Sequence, residues 1–122
     1  MTIENIRWSS GSSVQWPSAT KHAQLNILNC HLEGGSQLIT FSGTRTFTMV
    51  MEDSDFDSAQ GPILNVALGS DYEFTWNVTN CTFTNNVAES VALMTAAYAT
   101  LNFRDVWMNS NVASTGGFID TN

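Results

Sequence analysis

Residues 76–86 read Trp76-Asn77-Val78-Thr79-Asn80-Cys81-Thr82-Phe83-Thr84-Asn85-Asn86. Apolar side chains stand at 76 and 78, then at 81 and 83. Alternation by two marks a strand with one buried face, but here its phase slips by one residue at Asn80. An unbroken strand would turn the second apolar pair to the opposite face. The chain must therefore bend at Asn80 so that both flanking strands point inward. Asn and Asp suit such a bend because they tolerate left-handed backbone and hydrogen-bond to their own neighbours.

The same slip recurs along the chain, in Ile3-Glu4-Asn5-Ile6-Arg7-Trp8, Ile27-Leu28-Asn29-Cys30-His31-Leu32, Met51-Glu52-Asp53-Ser54-Asp55-Phe56 and Phe103-Arg104-Asp105-Val106-Trp107-Met108. The bend residues Asn5, Asn29, Asp53, Asn80 and Asp105 lie 24, 24, 27 and 25 residues apart. Two positions before them stand Ile3, Ile27, Met51, Val78 and Phe103, and three after them Trp8, Leu32, Phe56, Phe83 and Met108. A third strand is expected in each repeat, at Val14–Trp16, Leu38–Phe41, Ile63–Val66, Val91–Met94 and Phe118–Asp120. Three short strands in about 25 residues make one coil of a parallel β-solenoid. The sequence thus predicts an all-β, single-strand parallel β-helix of about five coils of 24–27 residues, in one domain over 1–122. A helix over Val87–Leu101, where Ala is frequent, is the alternative, but it leaves the register of the columns unexplained.

Composition agrees with this reading. The 122 residues are 43 % hydrophobic and only 12 % charged, enough apolar material for one core and too little charge for a disordered chain. The polar surface comes from 13 Ser, 14 Thr and 12 Asn. Four cations (Arg7, Lys21, Arg45, Arg104) against eleven carboxylates give a net charge of −7, which excludes a basic nucleic-acid face. No apolar run reaches the roughly 20 residues of a membrane span. The opening MTIENIRWSS has neither a basic nor an apolar leader pattern. Cys30 and Cys81 share one inward column with Ser54 between them. Two coil spacings separate them by about 9–10 Å, beyond the reach of a disulfide.

Gly34-Gly35-Ser36-Gln37-Leu38-Ile39, Gly116-Gly117-Phe118-Ile119 and Phe83-Thr84-Asn85-Asn86 resemble the GG-x-x-Leu/Ile and aromatic-x-x-Asn repeats of polymorphic outer-membrane proteins and related pectate-lyase-like, right-handed parallel β-helices. Met108-Asn109-Ser110-Asn111 matches more loosely, and Phe56-Asp57-Ser58-Ala59 lacks the Asn. The resemblance covers essentially the whole chain and implies right-handed coils and an extracellular or cell-surface location. It specifies coils and not a reaction, since related solenoids include adhesins, tail spikes, lyases and hydrolases. In the enzymes among them, catalytic residues commonly sit on the outer face of the strand after the glycine turn. The matching positions here, Thr40, Asn65 and Asp120, carry one carboxylate. The ends read as cut from a longer solenoid, with end-to-end self-association as the second reading.

Candidate sites lie on the outward positions. Arg7, His31, Asp55, Thr82 and Trp107 form one expected column, and Ser9, Glu33, Asp57, Thr84 and Asn109 the next. His31, Asp55 and Asp57 are the candidates for acid–base work on a glycan; an exposed ion ladder is the simpler reading. Asp53, Asp55 and Asp57 are hard oxygen donors, but a strand sets them in a row where Ca²⁺ needs convergence. Trp107 and Trp16 are candidates for stacking on a sugar ring. Asn77 and Asn80 begin overlapping glycosylation sequons, which matter only in a eukaryotic secretory setting. The Thr48, Thr75, Thr100 column has the look of a flat ice-binding array, but Gln24 interrupts it. No cofactor is implied.

Three functions follow: a non-catalytic, adhesin-like scaffold for glycan or protein, a fragment of a polysaccharide lyase or hydrolase, or a structural spacer. The inward and outward assignment is testable directly. Phe83→Ala is expected to cost about 3–5 kcal/mol, and Thr82→Ala, one residue away, under about 1 kcal/mol. Chemical denaturation of the two variants measures both; equal losses would refute the assignment.

Overall fold

The computed structural model describes residues 1–9, 14–19, 22–35, 39–68, 71–95 and 98–121, and at residue 8 and over 14–19, 89–95 and 115–121 it describes the backbone alone. The described strands come in triplets: β1 (Thr2–Glu4), β2 (Arg7–Trp8) and β3 (Val14–Ala19); β4 (Ala23–Leu28), β5 (His31–Glu33) and β6 (Ile39–Gly43); β7 (Phe47–Glu52), β8 (Asp55–Asp57) and β9 (Leu64–Leu68); β10 (Glu73–Thr79), β11 (Thr82–Thr84) and β12 (Val87–Thr95); β13 (Tyr98–Arg104), β14 (Trp107–Asn109) and β15 (Val112–Thr121). They build three parallel sheets, β1-β4-β7-β10-β13, β2-β5-β8-β11-β14 and β3-β6-β9-β12-β15. The chain is a parallel β-solenoid, and the described residues contain no helix.

The coil count needs refinement. Three triplets, from β4 to β12, have a neighbour on both sides, and the outer two on one side only. The about five coils expected from the spacing are thus three enclosed turns flanked by two terminal ones.

The bend columns explain the winding. Asn5, Asn29, Asp53, Asn80 and Asp105 all adopt left-handed backbone, with φ between 49° and 58°. Five residues further on, Gly34, Ser58, Asn85 and Ser110 do the same. The first column turns the chain from the first sheet into the second, and the second column from the second sheet into the third. Left-handed backbone costs an ordinary L-residue about 1–2 kcal/mol, which is why Asn, Asp and Gly prevail there.

Sheet pairing decides the region where Ala is frequent. Over 87–101 the alternative helix is absent; β12 and β13 stand in its place, and residues 96 and 97 lie outside the described residues. Ladder bonds to β9 on one side and β15 on the other outweigh a helix propensity worth a few tenths of a kcal/mol per residue.

Inward columns form one continuous core. Leu25, Met49 and Trp76, then Ile27, Met51 and Val78, then Leu32, Phe56 and Phe83 are fully buried. Phe56 and Phe83 stack at 4.9 Å between centroids, and Phe41, Phe47 and Phe74 form a second stack with centroids 3.8 and 5.6 Å apart. Trp76 packs edge-on against Phe83 and Phe103, and its indole N–H points at Met51 Sδ, 3.3 Å away. Cys30 and Cys81 are free and buried. Between them Ser54 accepts the Cys30 N–H and donates to the Glu52 carbonyl. Burial pushes the Cys81 thiol up to about 11, so it stays protonated and unreactive. At the last triplet Leu101 and Met108 occupy inward columns yet remain 39 % and 43 % exposed, because β13 and β14 have a neighbour on one side only.

Asn86, fully buried, shows why the aromatic-x-x-Asn motif exists. Its amide donates to the Phe56 carbonyl of the preceding coil and its Oδ1 accepts the Ala59 N–H. Asn111 repeats the first bond, donating to the Phe83 carbonyl at 2.8 Å. The side chain thus ties the corner of one coil to the main chain of the coil before it. Asn86→Ala leaves the Ala59 N–H without its acceptor, at about 1–3 kcal/mol for an unsatisfied buried group, and removes the bond to the Phe56 carbonyl, worth about 1 kcal/mol more. The expected loss is therefore at least about 2 kcal/mol, measured by urea denaturation, against under about 0.5 kcal/mol for Asn109→Ala on the exposed face.

Candidate functional site

The outer face of the second sheet carries the chemistry. Strand register places Arg7 beside His31, His31 beside Asp55, Asp55 beside Thr82, and Thr82 beside Trp107. In the neighbouring column Glu33, Asp57, Thr84 and Asn109 align in the same way. Both expected columns are therefore present from β5 onward, with Ser9 just outside β2. The alternation that buries Leu32, Phe56 and Phe83 holds these polar groups outward.

His31 sits between two carboxylates. Its Nε2 is 3.8 Å from Glu33 and its Nδ1 3.8 Å from Asp55. Asp55 also accepts a short hydrogen bond from the Thr82 hydroxyl. Asp57 accepts from the Thr84 hydroxyl at 2.9 Å and from the Asn85 amide at 3.0 Å. Those bonds, the Asn85 one foremost, hold the Asp57 carboxyl below its ordinary 3.8; slight burial opposes them, while the Ser58 hydroxyl and His31 add to them. Asp53 belongs to the bend column, where it accepts the Asn80 amide at 2.7 Å. The three Asp residues thus serve separate neighbours. Among the described residues no three His, Cys, Asp or Glu side chains gather as a metal-ligand set.

Beside the first bend lies a shallow groove of about 260 Å³, lined by Asn5, Ile6, Arg7, Asn29, His31 and Asp55, with Asp53 and Cys30 completing it. Asn29 donates to Asn5 at 2.6 Å along its floor. Trp107 ends the central column and is 64 % exposed. Trp16 falls in β3, where its side chain lies outside the described residues.

Other expected positions are placed as follows. Asn77 lies in β10, half-buried, and accepts the Asn102 amide at 2.8 Å. Asn80 is exposed at its bend. Thr48, Thr75 and Thr100 are in register, with Gln24 next in line. Thr40 and Asn65 pair across β6 and β9, and Leu93 separates Asn65 from Asp120. Among the described residues of that face, Thr40 and Asn65 carry no carboxylate. Ser36, Gln37 and Leu38 of the glycine motif lie outside the described residues.

Asn85 is the residue that sequence reasoning undervalued. It was visible only as part of a repeat motif, yet it fixes the best-held carboxylate on the face. Its signal was the second bend column, five residues after the first.

Comparison with protein families, with curated proteins and with solved structures returns no match. No described helix is long and apolar enough to cross a membrane.

The Asp57 bonds imply a pH dependence of stability. A carboxyl whose folded value is depressed stabilises the fold above its unfolded value, and that contribution disappears as pH falls through the folded value. Urea midpoints measured from neutral pH downward should drop in acid for the wild type, and drop less for Asp57→Asn. Identical acid profiles would show that the Asn85 and Thr84 bonds contribute nothing.

Proposed function

We propose that this chain is a non-catalytic scaffold at a cell surface or in the extracellular space, adhesin-like, that binds glycan through the outer face of its second sheet. The observation that carries the reading is Trp107, an exposed indole in register with Thr82 and Asp55 and beside the Thr84, Asp57 and Asn109 column. Sugars are bound where an aromatic face meets their apolar C–H surface while carboxylates, amides and hydroxyls take their hydroxyl groups. All of these elements stand here on rigid strands. The likeness of the glycine and aromatic-x-x-Asn repeats to polymorphic outer-membrane proteins supports a surface role, and the low charge with abundant Ser, Thr and Asn suits a wet, extended face. A surface protein is the other partner that this face would suit.

The second reading, a lyase or hydrolase of polysaccharides, is favoured by His31 between Glu33 and Asp55. Reducing-sugar and unsaturated-product assays on acidic and neutral polysaccharides detect it. A structural spacer would bind nothing.

On a glycan array the wild type is expected to retain a defined set of sugars. Trp107→Ala should weaken that binding by roughly tenfold or more, as loss of a central aromatic contact does, with the thermal midpoint preserved. Binding unaffected by Trp107→Ala would move the site elsewhere, and an array with no retained sugar would favour the spacer.

A further inference from the structure

The second sheet is narrow across its strands and long along its ladders, and that shape selects a ligand. Resting on the glycan reading, we propose that the sugar bound on its outer face is a linear, uncharged, extended polysaccharide that lies along the solenoid axis, one sugar to each coil.

Strand length sets the direction. β5, β8, β11 and β14 are three residues each, so each sends two side chains outward: His31 and Glu33, Asp55 and Asp57, Thr82 and Thr84, Trp107 and Asn109. The members of a pair lie about 7 Å apart along the strand, the breadth of one pyranose ring with its hydroxyls. On either side the chain turns away at a left-handed bend, at Asn29, Asp53, Asn80 and Asp105 before these strands and at Gly34, Ser58, Asn85 and Ser110 after them. A ligand laid across the strands therefore leaves the face after one sugar. A ligand laid along the ladders meets a fresh pair of side chains every ~4.8 Å. Equatorially linked pyranose chains, such as cellulose fragments, rise by close to that distance per sugar, whereas amylose fragments coil away from a straight line.

Charge sets the class. Glu33, Asp55 and Asp57 stand on the face and Asp53 and Asp105 border it, against Arg7 and, when protonated, His31. Asp55 accepts the Thr82 hydroxyl, and Asp57 accepts the Thr84 hydroxyl and the Asn85 amide. These bonds fix the carboxylates and leave them acceptor capacity for sugar hydroxyls, and their charge repels a polyanion. Trp107, exposed, offers an aromatic platform to one sugar. The polar pairs of the three preceding coils take one sugar each.

Isothermal titration calorimetry with oligosaccharides of defined length tests the inference. The probes are glucose, mannose and N-acetylglucosamine oligomers linked as in cellulose, amylose fragments, and mannuronate oligomers, which differ from the mannose series by a carboxylate on each sugar. At least one uncharged cellulose-type series should bind, with affinity rising about threefold or more for each unit added from two to four. Amylose and mannuronate tetrasaccharides should bind at least about tenfold more weakly. Glu33→Ala, an exposed change three coils from Trp107, should weaken the tetrasaccharide and leave a disaccharide seated at Trp107 unaffected. Equal affinity for two and four units, a tetrasaccharide indifferent to Glu33→Ala, an equal loss for both lengths, or tight binding of amylose or mannuronate overturns the inference. So does failure of every cellulose-type series to bind; if a glycan array still retains other sugars, the glycan reading stands without it.

Discussion

A parallel ladder can be extended only if every circuit of the chain returns to the same register, and that return is set at the first bend. There Asn5, Asn29, Asp53, Asn80 and Asp105 hold left-handed backbone, and the phase of the apolar alternation slips by one. Without the slip, one of the two strands around each bend would turn its apolar groups to solvent. With it, Ile27 and Leu32, Met51 and Phe56, and Val78 and Phe83 all reach the same core. The ladders between coils, the stacked aromatics and the ordered outer columns all presuppose this register.

The interior is not wholly apolar, and its polar members stand where the backbone turns. Asn86 serves the second corner and Ser54 the first. Each is buried, and each bonds to main-chain groups at its turn. No buried side-chain nitrogen or oxygen among the described residues lacks a partner. The outer face is built oppositely. Its carboxylates Asp55 and Asp57 bond to side chains of the following coil, Thr82, Thr84 and Asn85.

Much of this was legible before any coordinates. The parity slip around Asn80 and its recurrence predicted the fold, and period-two alternation sufficed to align His31 with Asp55 and Thr82 with Trp107. Gly34-Gly35 marked a turn before the third strand, but the left-handed backbone of Ser58, Asn85 and Ser110 was not read: serine gives no local signal for it, and Asn85 stood only within a repeat motif. Side-chain partners were less accessible still. That Asp57 is held by Asn85 while Asp53 is held by Asn80 depends on rotamers and on the sideways offset of successive coils. The exposure of Leu101 and Met108 was hidden for another reason: a column pattern says which way a side chain points, not whether a neighbour covers it.

Side-chain bonds between coils join residues 24 to 30 positions apart, as in Asn29 to Asn5 and Asn86 to Phe56. The span barely changes along the molecule, which bears on how it forms during synthesis. Each coil needs closure of a loop of nearly the same length, so the entropy lost per step does not rise as the chain lengthens. A ribosome adding about 5–20 residues per second would deliver one coil every ~1–5 s. Every coil can then dock on the one before it while the next is still being made, and the nascent chain lays down its own template from the N-terminal side.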